Sequence, residues 1–71
     1  MKILITGAFC FVGTNLSRAL AAAGKHRLTA LDMSEPPAHN YNEFYTWPEL
    51  DKLSGKPLDA IIHLAGKAHD I

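Results

Sequence analysis

The sequence predicts an α/β fold, the first half of a doubly wound parallel sheet with strand order 3-2-1-4. Three observations carry that expectation. Ile3-Leu4-Ile5 is a continuous aliphatic run, the mark of a strand buried on both faces. Gly7 and Gly13 follow where the hydrophobic period changes from that of a strand to that of a helix. Two further apolar runs, at 27–32 and 58–65, stand beyond helical segments, so each is expected to join the sheet by a crossover and to pair in parallel.

The first strand is expected over 2–6. From Phe11 onward Val12, Leu16, Ala19, Leu20 and Ala23 recur at helical spacing, with Asn15, Ser17 and Arg18 between them. That stripe is expected to pack on the sheet. Ala19 and Ala21–Ala23 favour the helix, and Gly24 is placed to end it. Residues 27–32 form the second strand. The stretch 33–42 contains Pro36-Pro37, Asn40 and Asn42 and is a loop. A short third strand is expected over 43–45. Thr46-Trp47-Pro48-Glu49 has the form of a capping box, a hydroxyl at the N-cap and a carboxylate three residues on, with proline tolerated in the first turn. The helix it opens should reach Leu53, with Gly55 and Pro57 closing it. Residues 58–65 are the last strand, ending at Gly66.

Composition narrows the function. Seventy-one residues make one small domain, and a chain near 60 residues buries only about 60% of its unfolded surface, so its stability is expected to be marginal. Seven basic and seven acidic residues give zero formal net charge, which leaves no electrostatic footprint for nucleic acid or an anionic membrane. Cys10, the single cysteine, excludes an internal disulfide and suits a reducing compartment. Met1-Lys2 leads straight into a strand, unlike a signal peptide, and no apolar run is long enough to span a membrane. The expected location is cytoplasmic. His26, His39, His63 and His69 lack metal-ligand spacing, so no metal is expected.

A strand, a glycine turn and a helix N-terminus in that order make an anion site, because the first helical N–H groups are unpaired and the helix dipole is positive there. The pyrophosphate of a dinucleotide is the natural occupant. Thr6-Gly7-Ala8-Phe9-Cys10-Phe11-Val12-Gly13 resembles the glycine motif of the extended short-chain dehydrogenase/reductase family, in its NAD-dependent epimerase/dehydratase branch, written Thr-Gly-x-x-Gly-x-x-Gly. Asp32 at the end of the second strand and Ile62-His63-Leu64-Ala65-Gly66 at the end of the fourth match the same family. The resemblance therefore runs the length of the chain.

It implies that residues 1–71 are the N-terminal part of an NAD(P)-binding Rossmann domain, with the substrate domain absent. It also implies cofactor contacts from Gly7, Phe9, Cys10, Phe11, Val12, Gly13, Asp32, Leu64, Ala65 and Gly66. Gly7 is expected to be linked to the cofactor and Gly13 to serve close helix–strand packing. A carboxylate at Asp32 would accept hydrogen bonds from both adenosine ribose hydroxyls and repel a 2′-phosphate, favouring NAD over NADP. Leu64, Ala65 and Gly66 would line the cofactor through their backbone. Cys10 departs from the pattern: it stands where the family has its middle glycine, and its side chain would crowd the phosphate unless φ is negative. It is read as a small, partly buried apolar side chain rather than a reactive thiol.

Other residues get plainer readings. His63 alternates with Ile61 and Ala65 on one strand face and is expected to be packed, not catalytic. Trp47 lies where the family often has an aspartate against adenine, and is expected to be a packing residue. Lys67 and His69 are read as a solvated tail. The family's chemistry uses Tyr-x-x-x-Lys, in which the lysine lowers the pKa of the tyrosine so that it can act as acid and base. Here Tyr41 is followed four residues on by Tyr45, and Tyr45 by Glu49, so the motif is missing.

The expectation is therefore the NAD-binding portion of an epimerase/dehydratase-like oxidoreductase acting on a nucleotide sugar or related substrate, inactive by itself. The alternative is a small non-catalytic nucleotide-binding or self-associating module. Residues 60–65 are apolar on both faces, without lysine or proline to blunt pairing, so a homodimer through this edge is expected.

Overall fold

The computed structural model describes residues 1–65. Four strands, β1 (Lys2–Thr6), β2 (Arg27–Asp32), β3 (Glu43–Thr46) and β4 (Ala60–His63), form one sheet in the order β3-β2-β1-β4. Every pairing is parallel, and Ile5 stands opposite Ala30 on one side and Ile62 on the other. This is the 3-2-1-4 order expected of half a doubly wound sheet. Helix α1 (Phe11–Ala23) makes the crossover from β1 to β2, and a 3₁₀ helix, Trp47–Leu53, stands between β3 and β4.

The continuous apolar runs are explained by two covered faces. On one face Ile3, Ile5, Leu28 and Ala30 meet Leu16 and Leu20 of α1. On the other, Leu4 and Leu31 meet Leu53 of the 3₁₀ helix, with Tyr45 and Leu58 beside them. Strands β1 and β2 therefore need apolar side chains at successive positions, not alternate ones.

Three sequence expectations are corrected here. The face that α1 turns to the sheet runs through Gly13, Leu16, Ser17 and Leu20, while Val12 is 54% exposed and Ala19 and Ala23 are exposed. Helical periodicity alone places the stripe by hydrophobicity. The actual contact is set by the small residues Gly13 and Ser17, which let the helix backbone come in close. Strand β4 is shorter than expected, because β1 ends at Thr6 opposite His63 and offers no further ladder. At its start, the Asp59 carboxylate accepts the Lys2 N–H at 2.7 Å and the Asp59 N–H donates to the Lys2 carbonyl at 2.8 Å. Finally, the face shared by Ile61 and His63 is the exposed one, and Ala60 and Ile62 face the core. His63 is thus not a packed residue. Among the described residues β4 is an edge of the sheet, and no described helix is long and apolar enough to cross a membrane.

The segment after β3 does start on a carboxylate cap. Glu49 accepts from both the N–H and the hydroxyl of Thr46, each at 3.0 Å, and Lys52 donates to it at 3.1 Å. The Thr46 N–H, then Lys52, then the Thr46 hydroxyl hold the Glu49 carboxyl down at about 2. A carboxyl whose folded value is depressed stabilises the fold above its ordinary value and loses that contribution as pH falls toward the folded one. Acidification from pH 4.5 to about 2 is therefore expected to loosen the 3₁₀ helix. Circular dichroism and Trp47 fluorescence should show this in the wild-type chain, and Glu49→Gln should flatten the change in that window.

Candidate functional site

The C-terminal ends of β1, β2 and β4 open into a groove of about 620 Å³. Gly7, Phe9 and Cys10 supply its floor from the loop after β1, Asp32 comes from the end of β2, and Leu64 and Ala65 follow β4. Met33, Ser34 and Trp47 complete the wall. Of the expected site residues, the structure thus brings six together around one cavity.

Each of these is placed by local chemistry. Gly7 adopts φ +66°, and its N–H donates to the Leu31 carbonyl at 2.9 Å. A Cβ at Gly7 would lie 2.9 Å from the Ala65 backbone, so glycine is required by the turn and by the chain that follows β4. That chain is tied to β1 through Thr6, whose Oγ1 accepts the N–H groups of Leu64 and Ala65 at 3.2 and 3.4 Å. The hydroxyl also lies 2.6 Å from His63 Nδ1, so His63 is a clasp between β1 and β4.

Cys10 is the N-cap of α1, in extended conformation with φ −68°. A Cβ is unstrained in that backbone conformation. Its Sγ accepts the Gly13 N–H at 3.3 Å, and its carbonyl accepts the Thr14 N–H at 2.9 Å. The thiol does what a serine does at an N-cap. One consequence is that the Gly13 N–H is engaged, while the N–H groups of Phe11 and Val12 have no acceptor among the described residues.

Three expected site residues do not line the groove. Phe11 and Val12 have exposed side chains, 84% and 54%, and can reach a ligand only through their backbone N–H groups. Gly13 is buried in the first turn of α1, and a Cβ there would lie 2.3 Å from the Ala8 carbonyl oxygen, in keeping with a packing role. Gly66, like Lys67 and His69, lies outside the described residues.

Among the described residues, Asp32 is the one charged residue lining the groove. Its Oδ2 accepts the Phe9 N–H at 2.9 Å and its Oδ1 accepts the Met33 N–H at 2.7 Å. Each oxygen keeps a lone-pair direction for one further donor. The carboxylate thus ties the end of β2 to the glycine loop and still presents a two-oxygen acceptor.

Trp47 and Tyr41 were not legible as site residues. Trp47 is 36% exposed and forms groove wall rather than core. Tyr41 sits beneath the glycine loop, and its hydroxyl donates to the carbonyls of Ala8 and Gly13. The capping box marks Trp47 only as a first-turn residue, and Tyr41 lies in no local motif, so the tertiary arrangement alone places them at the groove and its loop. Lys56 stands over the Tyr45 ring at 5.2 Å, but Lys56 lines a separate cavity with Lys2 and Arg27, away from the groove. Among the described residues no group of three His, Cys, Asp or Glu side chains is arranged to hold a metal ion.

A family model described as NAD dependent epimerase/dehydratase family matches residues 3–71. No curated protein and no solved structure matches the chain.

Proposed function

The chain belongs to the NAD dependent epimerase/dehydratase family, and from that premise we propose that its groove binds NAD. Asp32 is the observation that carries the reading. A carboxylate with one open acceptor direction on each oxygen suits the two hydroxyls of the adenosine ribose. NADP replaces one of those hydroxyls with a phosphate dianion, which would meet the Asp32 carboxylate with no cation among the described lining residues. The N–H groups of Phe11 and Val12 at the start of α1 would receive the pyrophosphate. The indole of Trp47 on the groove wall supports adenine stacking.

In this reading the bound dinucleotide supplies a hydride acceptor. The substrate we propose for the family's reaction is a nucleotide sugar or related molecule, oxidised and re-reduced at a hydroxyl, a reading that family membership supports. No Tyr-x-x-x-Lys occurs in the chain, so the 71 residues are proposed to bind without turning over.

Trp47 is the only tryptophan, so its fluorescence reports on the groove directly. Titration with NAD is expected to give a saturable change. Cys10→Gly should tighten NAD binding about tenfold, because it frees the Gly13 N–H for the phosphate, the worth of a hydrogen bond to a charged group. An unchanged affinity would show that the thiol neither crowds the phosphate nor withholds that donor. The absence of any saturable change with NAD would remove the functional reading itself.

A further inference from the structure

We propose that Tyr41 is the positioning residue of the glycine loop: its buried hydroxyl bridges the two ends of the loop and fixes where the Phe11 and Val12 N–H groups point. The inference rests on the reading of the groove as a dinucleotide site.

The loop from Ala8 to Gly13 has few internal bonds of its own. The Cys10 N–H reaches the Gly7 carbonyl at 3.1 Å, and the Gly13 N–H reaches Cys10 Sγ. Close packing of Gly13 on Ala8 brings two backbone carbonyls together, since the Ala8 oxygen lies within 2.3 Å of where a Gly13 Cβ would be. The Tyr41 hydroxyl lies between them and shares its one proton, 2.9 Å from the Ala8 oxygen and 3.2 Å from the Gly13 oxygen. These two carbonyls bracket the N–H groups of the cap and first turn, so the bridge sets the orientation of that turn as a unit.

The loop between β2 and β3 is built to deliver this hydroxyl. The Tyr41 N–H donates to His39 Nδ1 at 3.1 Å, which leaves the proton on Nε2 for Glu35 at 2.7 Å. The Tyr41 ring meets Phe9 edge-on at 5.5 Å and 86°, and Phe9 is the residue whose N–H is held by Asp32. Tyr41 is 8% exposed, and burial pushes its phenol up to about 12, so it stays a donor across the physiological range. A residue serving only to fill space would be phenylalanine, because a buried hydroxyl is costly unless it is bonded.

The test compares Tyr41→Phe with wild type for adenosine, ADP and NAD, read by Trp47 fluorescence, alongside urea unfolding. Adenosine reaches Asp32 and Trp47 but not the helix N-terminus. Tyr41→Phe is expected to weaken ADP and NAD roughly tenfold and to leave adenosine unchanged. Equal affinity for all three ligands, or an equal loss for all three, overturns the inference, whatever the change in stability. Where Tyr41→Phe does not fold, Glu35→Ala carries the test. It loosens His39 from the surface side and should give a smaller loss confined to ADP and NAD, whereas no such selectivity overturns the proposal. A wild-type chain that binds adenosine but gains nothing from ADP overturns the phosphate role of the loop, and this inference with it. A chain that binds none of the three overturns the functional reading first.

Discussion

Gly13→Ala is expected to lower the melting temperature by roughly 10 °C or more, or to prevent folding outright. The added Cβ would lie 2.3 Å from the Ala8 oxygen, 2.8 Å from the Ala8 carbonyl carbon and 3.0 Å from the Gly7 oxygen. All three are backbone atoms, and none can rotate away. Gly7 is itself held by its bond to Leu31, so the helix has to lift instead. Lifting it uncovers Ile3, Ile5, Leu28 and Ala30. The higher helix propensity of alanine opposes this by only about 1 kcal/mol. Overpacking of a tight contact costs about 1–3 kcal/mol, and more where the neighbours are rigid. In a domain of this size each kcal/mol shifts the melting temperature by roughly 4–8 °C. Thermal unfolding followed by circular dichroism measures it, and a melting temperature equal to that of wild type would show that α1 does not pack through Gly13.

Asp32→Ala is expected to weaken NAD binding at least tenfold and NADP binding much less. The variant removes both acceptors offered to the ribose, and hydrogen bonds to a charged group contribute about 1.5–3 kcal/mol each. It also strips the acceptor from the Phe9 N–H, which slackens the glycine loop. NADP suffers the same slackening but is relieved of the carboxylate facing its 2′-phosphate. Asp32→Asn should fall between, because an amide oxygen can still hold Phe9 while the charge is gone. Competition titrations separate the two dinucleotides, and equal losses for both would remove the ribose role from Asp32.

What could be read from the sequence was whatever has a local signature. Ile3–Ile5 is apolar at every position, and Leu28, Ala30 and Leu31 leave only Thr29 polar in the second run, because both sheet faces are covered; glycine punctuates the ends of β1 and α1. The strand order followed from crossovers, and the glycine pattern pointed to Gly7 while the family resemblance pointed to Asp32, Leu64 and Ala65, all of which line the groove. What could not be read depends on approach between distant segments. The buried face of α1 is set by where Gly13 touches Ala8, not by its most apolar stripe. Cys10 caps a helix because its backbone is extended, with ψ 172°, and its Sγ accepts the Gly13 N–H, which no composition reveals. His63 faces outward because no described element covers β4 on the face it shares with Ile61, and alternation fixes which residues share a face without saying which face is covered. Tyr41 lies 28 residues from one of the carbonyls it bonds and 33 from the other, beyond the reach of any motif.

Isothermal calorimetry of the wild-type chain with NAD and with NADP tests the central claim most directly, that the groove at Asp32 is a site for NAD. The account predicts a saturable one-to-one heat with NAD and a clearly weaker one with NADP. No heat with NAD, or equal affinity for the two, would contradict it.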